Sequence, residues 1–170
     1  MQDNKTYRIG DAEITRIVDT QFNTLTGSQL FPDWKNAPSE NLLREYFPGH
    51  IADDGQSVTL SVHSWLVRIA GKVVLIDTGV GNGKNRPFSP LFHKLQTDYI
   101  LRLAEKGVRP EDVDVVILTH LHVDHVGWNT VWDGSQWRPT FPNARYVYAQ
   151  AEEDFFDDPA STDRRIRIRA

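Results

Sequence analysis

Runs of apolar residues, continuous or alternating with polar ones, divide the chain into segments typical of strands. Residues 58–69 alternate in their first half and predict a half-buried strand. Residues 73–76 are an unbroken apolar run, which is the pattern of a strand buried in a parallel sheet, and residues 113–118 predict another buried strand. Residues 6–20 predict two short strands around a turn, and residues 145–148 predict one more strand.

Helical spacing of apolar residues is strongest in one segment. It predicts an amphipathic helix over residues 89–106, which Gly107 would terminate. Shorter helices are predicted after Ser39 and over residues 150–156. Two stretches rich in turn residues predict loops, at residues 22–38 and at residues 128–142 with a turn at Asp133-Gly134. Strands that alternate with helices predict an α/β fold.

Composition and charge argue against several kinds of protein and several kinds of site. The 170 residues include 19 basic and 23 acidic side chains, a net charge of −4, which argues against a nucleic-acid-binding protein. There is no cysteine, so disulfides, thiolate metal sites and cysteine nucleophiles are excluded. No apolar run approaches the roughly 20 residues that cross a bilayer, and the first residues do not resemble a signal peptide. We therefore expect a cytoplasmic protein that binds neither nucleic acid nor membrane.

The last ten residues differ from the rest of the chain. Residues 161–170 contain four arginines, whereas the remainder is acidic. We expect a domain over residues 1–160 followed by an atypical Arg-rich tail, such as a frameshift or premature stop produces. A tail that binds nucleic acid or an anionic membrane is the functional alternative.

Metal-ligating side chains are concentrated directly after the predicted strand at residues 113–118. His120 and His122 lie two residues apart, so in extended backbone they point to the same side of the chain. Asp124 and His125 follow and can face a second ion beside the first. Imidazole and carboxylate groups are ligands for zinc and also for iron, manganese or cobalt. Packing alone does not explain so many polar groups at one strand end, because burying them without partners is costly.

This stretch resembles the metal-binding signature of the metallo-β-lactamase-fold hydrolases. The resemblance extends from about residue 58 to about residue 156. Within the family, the sequence most resembles the branch of acyl-homoserine lactonases and methyl parathion hydrolase. Three segments carry it: Leu75-Ile76-Asp77-Thr78-Gly79, Pro110-Glu111-Asp112-Val113-Asp114 and Thr119-His120-Leu121-His122-Val123-Asp124-His125-Val126-Gly127. The resemblance implies the N-terminal part of a four-layer αββα sandwich, with a mixed sheet and flanking helices.

The resemblance also implies roles for matching residues. His120 and His122 would bind a first metal ion, and Asp124 and His125 a second, with zinc as the expected metal. Asp77 would orient the metal-binding loop through its carboxylate. Two ions would activate a water for attack on a small ester, lactone or phosphotriester, and Asp124 would also pass a proton to the leaving group.

Part of the ligand set that the family uses is missing from this sequence. The family places two further histidines and a bridging carboxylate after the signature, but no histidine follows His125 here. The acidic residues at 152–158 are expected to form a solvated charge run. We therefore expect the N-terminal half of an enzyme, with an exposed sheet face that favours self-association. The alternatives are a non-catalytic remnant and a half-domain that a partner chain completes.

Overall fold

The computed structural model describes residues 5–34 and 39–159 and divides the chain into two compact units. The larger unit contains Met1–Thr20 and Val62–Ala170, and the smaller contains Gln21–Ser61. The Arg-rich tail at residues 161–170 lies outside the described residues. None of the described helices is long and apolar enough to cross a membrane.

A mixed six-stranded sheet is the framework of the larger unit, and two of its strands continue into the residues of the smaller unit. The six strands are β1 (Thr6–Ile9), β2 (Ala12–Thr26), β3 (Ser57–Ile69), β4 (Lys72–Ile76), β5 (Val115–Ile117) and β8 (Arg145–Val147). Their order in the sheet is β1-β2-β3-β4-β5-β8. The pairs β1–β2 and β3–β4 are antiparallel, whereas β4–β5 and β5–β8 are parallel. This arrangement confirms the expected mixed α/β sheet.

One helix packs its apolar side into the core of the larger unit. Tyr99 and Leu103 of α3 (Tyr99–Glu105) are fully buried, as are Leu66, Leu75 and Val116 on the central strands. Trp128 stacks on Tyr99, with ring centroids 5.4 Å apart and planes at 20°. The phenol of Tyr99 forms a 2.6 Å hydrogen bond with the hydroxyl of Ser64. The segment that follows the predicted metal ligands is therefore part of the core.

The predicted helix over residues 89–106 is wrong in its first half. Only α3 is helical, because contacts from residues 82–84 hold the preceding segment in a loop. The Lys94 amide donates to the Lys84 carbonyl at 2.8 Å, and the Thr97 amide donates to the Asn82 side chain at 2.8 Å. Lys94 itself has φ 50°, which no right-handed helix accommodates. Gly107 ends the helix with φ 69°, as expected.

The predicted loop over residues 128–142 contains a short β-hairpin. β6 (Thr130–Trp132) pairs antiparallel with β7 (Trp137–Pro139). The turn lies at the predicted Asp133-Gly134, where the Asp133 carboxylate accepts hydrogen bonds from the amides of Ser135 and Gln136 at 2.9 Å. The predicted helix near the end of the chain is confirmed as α4 (Gln150–Asp157).

The smaller unit corrects a second predicted loop. Residues 22–38 were expected to be irregular, but β2 continues to Thr26 and α1 (Gly27–Leu30) follows. The helix predicted after Ser39 is present as α2 (Glu40–Tyr46). Arg44 of α2 donates to the carbonyls of Ile51 and Ala52 at 3.2 and 2.6 Å, which holds the helix against the following segment.

Candidate metal centre

The predicted metal ligands lie at one edge of the sheet, where parallel strands end. Asp77 directly follows β4, and Thr119 and His120 come two and three residues after β5. The Asp77 amide donates to the Ile117 carbonyl at 2.8 Å, which extends the pairing beyond β4. Since neighbouring parallel strands end at the same edge, the sheet brings together residues that are more than 40 positions apart in sequence.

The Asp77 carboxylate connects the two strand ends. One oxygen accepts from the Thr119 amide at 2.8 Å, and the other lies 2.8 Å from His125 Nδ1. Burial opposes ionisation, but hydrogen bonds from His125 and Thr119 lower the pKa of Asp77 below its usual range. An ionised carboxylate only accepts, so Nδ1 of His125 carries the proton and Nε2 faces away from Asp77. Asp77 therefore contacts the predicted metal-binding loop, and its role in orienting metal ligands stays a prediction.

Three imidazole rings lie side by side at this edge. The ring of His120 is centred 4.5 Å from that of His122 and 3.9 Å from that of His125. Asp124 Oδ2 lies 3.5 Å from His125 Nε2. The structure thus brings the four sequence-predicted ligands into one cluster.

The surroundings within this cluster shift the pKa values of His120 and His125 in opposite directions. Burial, together with the charges of His125 and His122, lowers the pKa of His120. Burial alone would also lower the pKa of His125, but hydrogen bonds to Asp124 and Asp77 outweigh it and raise the pKa to about 9. The cluster therefore favours one neutral and one protonated imidazole near neutral pH.

The donor chemistry of the cluster fits a divalent metal, but the ligand set is incomplete. Imidazole and carboxylate groups are the ligands of zinc and similar ions. Within residues 5–34 and 39–159, however, no group of three His, Asp or Glu side chains is placed to hold an ion. The assignments of His120, His122, Asp124 and His125 as ligands therefore stay predictions.

A buried carboxylate that sequence reasoning missed fixes the loop after β4. Asp19 is 1% exposed and accepts from the amides of Val80 and Gly81 at 2.7 and 3.4 Å. It also accepts from the Thr97 hydroxyl at 2.5 Å and from the indole nitrogen of Trp128 at 3.1 Å. A lone aspartate in a strand that also contains other polar residues gave no signal of this role.

Close backbone packing joins this loop to the end of the segment that carries the predicted metal ligands. The Gly127 amide donates to the Gly79 carbonyl at 2.7 Å, and the Thr78 amide donates to the His125 carbonyl at 2.7 Å. A Cβ at Gly127 would lie 1.9 Å from the Val80 backbone carbon. The glycine that ends the predicted signature is therefore required by this contact.

Two further side chains near the cluster were not predicted. Glu152 of α4 accepts from the Leu121 amide at 2.9 Å, so the expectation that this residue belongs to a solvated charge run is wrong. Arg86 is 2% exposed and donates to the Val80 carbonyl at 2.7 Å. Burial lowers the pKa of Arg86 to about 10, although the charges of Asp124 and Asp19 oppose that shift.

Comparison with known proteins agrees with this geometry. Residues 58–167 match the family described as the metallo-beta-lactamase superfamily. The chain belongs to this superfamily. A segment of 56 residues, 33% of the chain, is 43% identical to a probable metallo-hydrolase of Methanocaldococcus jannaschii and covers 23% of that protein.

Two solved structures extend the similarity along most of the chain. The hydrolase AbOPH of the beta lactamase superfamily is 28% identical, with a TM-score of 0.63 over 93% of this chain and 48% of its own. AidC, a dizinc quorum-quenching lactonase, is 21% identical, with a TM-score of 0.62 over 94% of this chain and 49% of its own, and shows the shared fold. The chain therefore spans about half the length of these solved relatives and less of the curated one.

Proposed function

We propose that this chain supplies the first set of metal ligands of a hydrolase that acts on a small ester, lactone or phosphotriester. The observation that carries the proposal is the cluster of His120, His122 and His125 beside Asp124 at the sheet edge. Membership of a metallohydrolase superfamily supports it. The substrate class is supported by the names of two solved relatives, a hydrolase and a quorum-quenching lactonase.

Four residues of the cluster are proposed as metal ligands, and Asp77 is proposed to orient one of them. His120 and His122 would hold one ion, and Asp124 and His125 a second, with zinc as the proposed metal and manganese, iron or cobalt as substitutes. Asp77 accepts a hydrogen bond from Nδ1 of His125, so Nε2 is the atom that would bind metal, with loss of the proton that the free imidazolium carries there. The chemistry that divalent ions supply in such sites is activation of water and polarisation of the substrate carbonyl or phosphoryl oxygen.

Asp124 is proposed to have a second role as the group that passes a proton to the leaving group. Its carboxylate is half-buried at the cluster, and the neighbouring His125 lowers the pKa of Asp124 despite burial. It is therefore ionised near neutral pH and able to accept a proton before it donates one.

Metal content tests the ligand assignment. The chain is purified without a His tag, loaded with zinc, dialysed and analysed for metal, and zinc affinity is measured by competition with a chromophoric chelator. We expect His120→Ala and His125→Ala each to weaken zinc binding at least about tenfold, since each removes one ligand. His50→Ala, in the smaller unit and outside the cluster, is the control and should not change it. Equal zinc affinity in all variants would show that the cluster is not the metal site.

Hydrolysis assays then separate the enzyme from its alternatives. The zinc-loaded chain is tested on an aryl ester, a γ-lactone and a phosphotriester, with Asp124→Asn as the inactive comparison. Turnover that is lost in Asp124→Asn supports the hydrolase. Tight zinc binding without turnover favours a half-domain that needs a partner chain, and absence of both favours a non-catalytic remnant.

Self-association through the sheet is a separate proposal. Tyr7, Ile9 and Ile69 are large apolar residues on the sheet strands with exposed fractions of 47, 68 and 45%. Apolar residues exposed together favour association. Light scattering after size-exclusion chromatography should show a dimer or larger species that Ile9→Lys shifts towards monomer. A monomeric wild-type chain at all concentrations would contradict it.

A further inference from the structure

A groove of about 480 Å³ lies between the β6–β7 hairpin and the loop after β4. Its lining has no ionisable side chain and consists of Asn82, Gly83, Gln96, Val131, Trp132 and Trp137. None of these residues belongs to the predicted metal ligands. The groove is therefore a second candidate site, with its own chemistry.

The hairpin wall of the groove is held by a buried lysine. Lys84 is 7% exposed, and its ammonium donates to the carbonyl and hydroxyl of Thr130 at 3.0 and 2.5 Å. The same ammonium lies 3.6 Å from the ring centroid of Trp137, a cation–π contact that fixes the indole. The ammonium of Lys84 thus has its partners within the protein and does not face a ligand in the groove.

The opposite wall is held by backbone contacts. The Asn82 carboxamide accepts from the Thr97 amide at 2.8 Å and donates to the Thr97 carbonyl at 3.0 Å. The Gly83 amide donates to the Leu95 carbonyl at 2.9 Å. Both walls are therefore fixed before any ligand arrives, which reduces the ordering cost of binding.

The surfaces that face a ligand are two indoles and one amide. Trp132 and Trp137 are 51 and 41% exposed, with ring centroids 5.6 Å apart and planes at 64°, so they form a corner. The carboxamide of Gln96 is exposed and makes no hydrogen bond within the described parts of the chain. Such a lining combines apolar area with one amide group, whose NH₂ donates and whose carbonyl oxygen accepts.

We propose that this groove binds a neutral saccharide, with one pyranose ring packed on an indole and its hydroxyls hydrogen-bonded to Gln96. A charged ligand is disfavoured because no lining residue would neutralise it. An acyl chain is disfavoured because it gains about 0.8 kcal/mol per CH₂ only where it leaves water, and both indoles here stay about half exposed. A sugar ring packs its C–H face on an indole while its hydroxyls remain in water, which suits an open groove.

Titration of the metal-free 170-residue chain with neutral tetrasaccharides tests the proposal. Cellotetraose, maltotetraose and chitotetraose are added separately in EDTA, and tryptophan fluorescence and heat are recorded. N-butylhexanamide and inorganic phosphate are the comparison probes. We expect at least one tetrasaccharide to bind with a dissociation constant of about 1 mM, and the comparison probes to bind at least about tenfold more weakly.

Two groove variants and one control make the result specific. Trp132→Ala and Gln96→Ala should each weaken saccharide binding about tenfold, whereas Tyr46→Ala, an exposed aromatic residue of the smaller unit, should not. Far-UV circular dichroism checks the fold, and Gln96→Ala keeps the test valid if the hairpin variant unfolds. The proposal is overturned if no tetrasaccharide binds at about 10 mM, if the amide binds more tightly, or if both variants bind normally. Because EDTA is present, failure here leaves the proposed hydrolase untouched.

Discussion

Replacing Asp19 by asparagine should destabilise the larger unit by more than its small chemical change suggests. All four hydrogen-bonded groups around this carboxylate donate, two to each oxygen. An asparagine must place its NH₂ group against one of these pairs. If the NH₂ faces the Val80 amide, two donors oppose each other; if it faces Trp128, the indole N–H loses its acceptor. The Thr97 hydroxyl can reverse its role, so the second orientation is expected.

The structure sets the size of the effect at about 2–3 kcal/mol. One buried indole N–H is left without an acceptor, which costs about 1–3 kcal/mol, and the hydrogen bond from Val80 loses its charged acceptor. Urea denaturation, followed by fluorescence and far-UV circular dichroism, measures the loss as a midpoint shift of about 1 M. Asp11→Asn, at the exposed turn between β1 and β2, is the matched control and should stay within about 0.5 kcal/mol of wild type.

A double-mutant cycle identifies the donor that is lost. Trp128→Phe removes the indole N–H, so it should cost less in the Asp19→Asn chain than in wild type, by about 1–2 kcal/mol. Additivity within about 0.5 kcal/mol would refute the reasoning, and so would an Asp19→Asn chain as stable as its control.

Three other perturbations test different parts of the structure. Glu152→Ala leaves the Leu121 amide without its acceptor and should lower the urea midpoint by the equivalent of about 1–2 kcal/mol, whereas Glu153→Ala should not; equal effects would contradict the contact. Gly127→Ala places a Cβ 1.9 Å from a backbone carbon of the facing loop and should cost about 3 kcal/mol or more, so a stable Gly127→Ala chain would show that the loop packs differently. Burial lowers the pKa of Lys84 from 10.5 to about 8, so the folded chain loses this proton at a lower pH than the unfolded chain does. The free energy of unfolding therefore rises between pH 8 and 10.5, by at most about 3 kcal/mol. Lys84→Met should lack this rise in a urea series across that range, and the same rise in both chains would contradict the burial.

The cluster of candidate ligands could be read from the sequence because its members are contiguous. His120, His122, Asp124 and His125 fall within six consecutive positions after an apolar strand, so the local sequence pattern alone indicates them. Asp77 required the family resemblance, because one aspartate before a glycine-rich loop also fits an ordinary turn. Glu152 was hidden within an acidic stretch whose composition favours solvent exposure.

The errors arose where tertiary contacts override local preference. Leu91 and Leu95 have helical spacing, but hydrogen bonds to residues 82–84 hold that segment in a loop. The turn at Asp133-Gly134 was predicted, yet its strands have only three residues each, too few for periodicity to reveal. Asp19 gave no signal because its partners are distant in sequence.

That distance has a kinetic consequence. The groups that Asp19 joins lie 61, 78 and 109 positions away along the chain, so none of these hydrogen bonds forms until long loops have closed. Chains dominated by such non-local contacts fold slowly. The imidazole cluster, whose own residues are neighbours, gains the support of Asp19 only after these loops have closed. Until those loops close, the predicted metal ligands are close together in sequence but are not held in place by this carboxylate.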